Sequence, residues 1–115
     1  MANGDQIFRT HKSYCVKLLD AITATDNNGV WVDCGEFTLG NIIVNAQGTG
    51  ISIQVQASND DPRPSNATAG APVGSAVTTT GYTMIGLAAC PRWIKAAGTV
   101  TTGPLTVIAY LRAQI

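Results

Sequence analysis

Two segments of the chain alternate apolar and polar residues without a break. Ile51-Ser52-Ile53-Gln54-Val55-Gln56-Ala57-Ser58 places β-branched or small apolar side chains on one face and polar ones on the other. In the run to Arg112, Leu105, Val107, Ala109 and Leu111 share a second such face. A period of two marks a half-buried strand, because successive side chains of a strand point to opposite sides. Val30–Asp33 is a short strand between Gly29 and Gly35, and Phe37–Asn45 continues as strand with a break or bulge at Gly40. Gln47-Gly48-Thr49-Gly50 then turns the chain, which predicts a hairpin of 41–45 with 51–58. Ile42, Val44, Ile51, Ile53 and Val55 are the expected heart of the core.

Elsewhere the pattern is weaker. Ser13–Ala24 admits two readings, a strand with Tyr14, Val16 and Leu18 on one face or a helix with Cys15, Leu19 and Ile22 in a stripe. The β-rich surroundings and the turn-forming run Thr23–Gly29 favour the strand. Residues 1–12 lack periodicity and read as an arm, ordered only where something docks it. Asn59–Gly74 is a long loop holding Pro62, Pro64 and Pro72, and loops of that length often carry function. Val73–Thr80 reads as an edge strand, Gly81–Leu87 and Arg92–Ala97 as further strands, and Gly98–Gly103 as a hairpin loop. Pro104 opens the last strand, a position where its missing N–H does no harm. The expectation is an all-β, antiparallel β-sandwich or jelly roll of seven to eight strands over 13–115, with an N-terminal arm over 1–12.

Composition changes this picture in one respect. The 115 residues hold one core, and only 12% of them are charged, about half the usual share. So little charge leaves the exterior to Thr, Ser, Asn, Gly and Ala, or to a partner that covers it. Partner burial is the preferred explanation, and a homo-oligomer, a trimer above other states, is expected. Seven basic and seven acidic residues leave no net charge, so nucleic acid and anionic membrane are not expected partners. No apolar run approaches the length of a membrane span, and Met1–Gln6 has no signal-type apolar stretch. Cys15, Cys34 and Cys90 have neither pair nor metal spacing, which predicts reduced thiols made in a cytosol.

Candidate chemistry is sparse. The single histidine, His11, lies in the polar arm and reads as a solvated residue. Cys34 between Asp33 and Glu36 is a poor nucleophile, since neighbouring carboxylates raise a thiol pKa. Cys90 before Pro91 reads as a buried strand end. Asn59, Asp60 and Asp61 could offer oxygens to Ca²⁺, although adjacent acids in a turn more often form Asx turns. Asn66-Ala67-Thr68 matches a glycosylation sequon and is read as chance. Gly48-Thr49-Gly50 lacks the helix a phosphate loop needs. No enzyme activity and no cofactor or metal are expected.

Trp31 and Trp93 carry most of the binding potential. In Arg92-Trp93-Ile94-Lys95, Ile94 should face the core while Trp93 and Lys95 point outward together. Core and interface weigh equally for Trp93; for Trp31 the core is favoured. The expected interface residues are Trp93, Lys95 and Tyr82, with Arg9 in the arm and Arg63 in the long loop.

Three stretches carry a resemblance: Val55-Gln56-Ala57-Ser58-Asn59-Asp60, Cys90-Pro91-Arg92-Trp93-Ile94-Lys95 and Leu105–Arg112. Together with the proline loop they resemble small tailed-bacteriophage virion proteins, over residues 37–112. The resemblance rests on pattern, and the amino-terminal third has no part in it. It implies a capsid decoration (cement) or head and tail accessory protein, made in the host cytoplasm and carried in the virion. Its implied partners are the major capsid protein or other virion proteins. Arg92, Trp93, Ile94, Leu105 and Val107 also resemble discoidin-like, galactose-binding jelly rolls, which implies a carbohydrate-binding alternative with Trp93 or Tyr82 stacking on a sugar. That family is secreted, longer and disulfide-closed, traits this chain does not show, and fold alone does not carry function.

Overall fold

The computed structural model describes residues 4–10, 13–23, 31–35, 37, 39–58, 71–87 and 92–113. His11, Glu36, Asn59–Asp61, Arg63, Asn66–Thr68, Cys90 and Pro91 lie outside them, and so do the readings made on those residues. The described chain forms nine strands: β1 Gln6–Arg9, β2 Ser13–Ile22, β3 Val32–Asp33, β4 Leu39–Ala46, β5 Ser52–Ser58, β6 Ala71–Val77, β7 Gly81–Leu87, β8 Trp93–Thr99 and β9 Leu105–Arg112. They make a five-stranded sheet, β1-β2-β9-β4-β7, and a four-stranded sheet, β3-β8-β5-β6, in which every pairing is antiparallel.

The pairings are nested: β5 with β6, β4 with β7, β3 with β8, and β2 with β9. The chain thus runs out from β2 to β5 and back from β6 to β9 as one long hairpin. Rolling that hairpin brings β4 against β9 and β5 against β8, which divides its strands between two sheets. This is a jelly roll, a sandwich whose consecutive strands mostly change sheet. The one strand outside the scheme is β1, paired on the outer side of β2.

The roll corrects several expectations. There is no 41–45 with 51–58 hairpin, because β4 and β5 belong to different sheets and Gln47–Gly50 crosses between them. Gly98–Gly103 likewise joins β8 to β9 across the sandwich, and Gly98 itself is still in strand. The two crossings are tied together: the Thr49 N–H donates to Thr102 Oγ1 at 2.8 Å. Gly40 makes no bulge, since β4 runs in unbroken register with both neighbours. Glycine is needed there because a Cβ would collide with the Tyr110 carbonyl of β9. The strand count rises from the expected seven or eight to nine because Gln6–Arg9 is paired strand and not arm. Strand β6 begins at Ala71, so Pro72 lies in a strand at the sheet edge, where a missing N–H is tolerated.

Between the sheets lies one main core. Ile42, Val44, Ile51, Ile53 and Val55 are buried in it, as are Leu105, Val107, Ala109 and Leu111. In β2, Leu18 and Leu19 are buried in succession because the register with β9 slips between Lys17 and Leu19 and again before Ile22. The slip rotates the strand, so the helix-like spacing in this segment is the trace of a bulged strand.

Candidate interaction surface

Strand pairing determines what the outside of the five-stranded sheet presents. One cross-strand row is Lys17, Ile108, Ile43 and Met84; the next is Cys15, Tyr110, Asn41 and Gly86; a third holds Thr106, Asn45 and Tyr82. No layer among the described residues covers these rows. Tyr82 is 78% exposed, Met84 64% and Tyr110 41%, and Phe8 of β1, at the opposite edge from β7, is 47% exposed. Phe8 and Tyr110 flank Cys15, whose thiol is buried and whose pKa is pushed up by that burial. A hollow of about 200 Å³ opens between Phe8, Tyr14, Tyr110 and Arg112.

The polar groups on this face are mostly engaged. Lys17 Nζ meets Asp20 Oδ1 at 2.7 Å, and that bond holds the Asp20 carboxyl below its ordinary pKa. Asn45 Nδ2 donates to the Tyr82 hydroxyl at 3.4 Å, while Asn45 Oδ1 is buried with no hydrogen-bond partner. A buried acceptor without a donor is costly, by about 1–3 kcal/mol. The face is therefore mixed: Ile43, Ile108, Tyr82, Met84 and Tyr110 stand beside Asn41, Asn45, Thr106 and the exposed Arg112, and one buried acceptor on it lacks a donor.

The outside of the four-stranded sheet is different. Trp93 and Lys95 do share the side opposite Ile94, as the alternation predicts, yet neither points into solvent: Trp93 is 4% and Lys95 8% exposed. Trp31 packs on Trp93 to form a second, separate apolar cluster. The Lys95 ammonium stands 5.1 Å from the Trp31 ring centre, and the Arg92 guanidinium 5.9 Å from that of Trp93. Arg92 also reaches Asp33 at 3.4 Å. The cluster removes Trp93 and Lys95 from the set of accessible interface residues.

Arg9 is exposed but occupied. Its guanidinium lies 5.1 Å from the Tyr14 ring centre and 5.2 Å from that of Phe37, closing one end of the core. Burial raises the Tyr14 pKa, and the Arg9 charge opposes that rise. Cys34 is buried, with Sγ 3.8 Å from the Val32 carbonyl. Among the described residues no three His, Cys, Asp or Glu side chains converge.

Of the expected interface residues, the fold leaves Tyr82 open, gives Arg9 a structural partner and covers Trp93 and Lys95. It adds Met84, Tyr110 and Phe8. The signal for two of these was present: Met84 and Tyr110 lie out of phase with Ile85-Leu87 and Leu105-Val107-Ala109-Leu111, the inward residues of their strands. Comparison with protein-family models, curated proteins and solved structures finds no match to this chain.

Proposed function

We propose that this chain is a non-enzymatic virion structural protein that decorates the assembled head of a tailed phage and docks through the outside of its five-stranded sheet. The observation that carries this reading is the set of large apolar side chains left open on the outside of the five-stranded sheet, Tyr82, Met84, Tyr110 and Phe8. The class of partner, the major capsid protein, is the one implied by the sequence's resemblance to small virion proteins.

Area sets the mechanism. Strands about 4.8 Å apart with about 3.4 Å per residue give five strands a face of roughly 650 Å² in projection. A standard interface takes about 800 Å² from each partner, so a single copy falls somewhat short. Repetition over a symmetric shell offsets that shortfall, since contacts made together gain through effective concentration. Binding the assembled state alone then stabilises it by mass action.

The test is co-sedimentation with heads assembled from the capsid protein of the same phage. The wild-type chain should sediment with the heads and raise their resistance to heat. Phe8→Ser combined with Tyr110→Ser should lose both effects while remaining folded. Heads that retain none of the wild-type protein, or that retain the double variant equally well, would overturn the reading. Of the two aromatics that the carbohydrate-binding alternative assigns to sugar stacking, Trp93 is covered and Tyr82 is open.

A further inference from the structure

The two sheets end on four edge strands: β1 and β7 on one, β3 and β6 on the other. An edge strand presents unpaired N–H and C=O groups to any extended chain, and proteins block such edges with brevity, charge, proline or bulges. Three of the four edges here are blocked. Strand β1 has four residues, a register slip between Gln6 and Phe8, and Arg9 at its end. Strand β3 is two residues long and carries Asp33. Strand β6 contains Pro72, and Gly74, at a φ of 66°, sits where the register with β5 slips.

Strand β7 has none of these devices. Its seven residues, Gly81-Tyr82-Thr83-Met84-Ile85-Gly86-Leu87, include no charge and no proline. They pair with β4 in unbroken register from Gly81 opposite Ala46 to Leu87 opposite Gly40. In the sequence they lie within a stretch from Pro64 to Pro91 that contains no charged residue.

Gly86 points the same way independently. Glycine inside a strand weakens it unless the backbone needs a positive φ or something approaches too closely for a Cβ. Gly86 is not among the positive-φ residues, and a Cβ built on it would meet nothing within 4 Å. Gly40, by contrast, is held against the Tyr110 carbonyl. Nothing within the described part of one copy accounts for the glycine. Above it lies an open hollow of about 490 Å³ bordered by Leu39, Asn41 and Arg112.

We propose that β7 pairs antiparallel with β7 of a second copy about a two-fold axis through Met84, joining two five-stranded sheets into one continuous sheet. In this register Tyr82 opposes the second copy's Gly86, Thr83 opposes Ile85, and Met84 meets its own counterpart. Tyr82, Met84 and Gly86 share the outer face, so each exposed Tyr82 ring lies over the other copy's bare Gly86 and fills the hollow. The edge is suited to self-pairing because it is neutral, and like charges directly opposed across strands repel. A three-fold ring built by strand pairing would need two different edges to meet, and the other three are blocked. The pairing goes beyond the docking reading and is measured on the free protein, so either can fail without the other.

Sedimentation velocity at tens of micromolar should show twice the chain mass for wild type. Met84→Lys should weaken self-association by about a hundredfold or more, since it sets two ammonium groups face to face. Its thermal transition at high dilution should match that of the wild-type monomer, because Met84 is largely solvent-exposed. In a Cys90→Ser background, Met84→Cys should give a disulfide-linked dimer on mild oxidation. Tyr82→Cys should not, because the two copies of that position sit about 14 Å apart along the strands. A wild-type monomer, a trimer, a dimer that persists in Met84→Lys, or cross-linking through position 82 and not 84 would each overturn the pairing.

Discussion

Outside the four-stranded sheet, Trp93 and Lys95 are covered and stacked with Trp31; outside the five-stranded sheet, Tyr82 and Met84 stand in solvent. Both faces come from strands with a bulky residue at alternate positions, so local pattern does not distinguish them. What differs is whether another part of the chain returns to cover the face. Trp31, just ahead of β3, packs over Trp93 and Lys95 on the first, and no described residue packs in this way over Tyr82 and Met84 on the second. An aromatic residue under cover stabilises its own fold, whereas an open one is available to stabilise an assembly.

The largest effect should separate the two faces directly. Trp93→Ala should lower folding stability by about 3–5 kcal/mol, the range for emptying a buried aromatic site. At high dilution, where the chain is monomeric, Tyr82→Ala should change it by no more than about 0.5 kcal/mol, as for an ordinary surface substitution. Chemical denaturation of both variants measures the contrast, and equal losses would abolish it.

Lys95 sharpens the comparison on the covered side. Lys95→Ala should cost about 1–2 kcal/mol, combining the lost cation–π contact with Trp31 and the packing of its stem. Lys95→Met, which keeps the stem, should recover part of that loss. If both substitutions are neutral, the Trp31–Lys95 contact contributes nothing to the cover.

The smallest effect probes the end of the core, where Arg9 lies over Tyr14 and Phe37. Burial, opposed by Arg9, raises the Tyr14 pKa above 10.0 in the folded state. The folded form therefore favours the neutral phenol. Its contribution to stability is complete below the ordinary tyrosine pKa and is lost as pH rises through the raised value. Tyr14→Phe should flatten that alkaline loss. Arg9→Gln should raise the Tyr14 pKa further, and phenolate absorbance during titration reads the shift.

Much of the fold was legible because alternation tells a strand its two faces. Ile53 and Val55 in β5, and Val107, Ala109 and Leu111 in β9, were assignable to the core on that ground alone. Alternation does not name a strand's neighbours. The Gln47–Gly50 turn therefore read as a hairpin although it passes between sheets. Gln6–Arg9 read as an arm because a short edge strand is held by its partner's backbone and needs no pattern of its own. For the surface, the outward phase of Tyr82, Met84 and Tyr110 was readable. The cover over Trp93 was not, because it comes from Trp31, distant in sequence and placed by the β3–β8 pairing.

Both tryptophans of the chain sit together in that second cluster. Indole emission from this protein is consequently a local optical signal from outside the four-stranded sheet, tuned by the ammonium beside Trp31. Events on the other sheet, where Tyr82 and Tyr110 lie exposed, will leave that emission largely unchanged. A fluorescence titration that shows no response to a partner is therefore compatible with tight binding there. The tyrosines, or a dye attached at the β7 edge, are the labels that can see it.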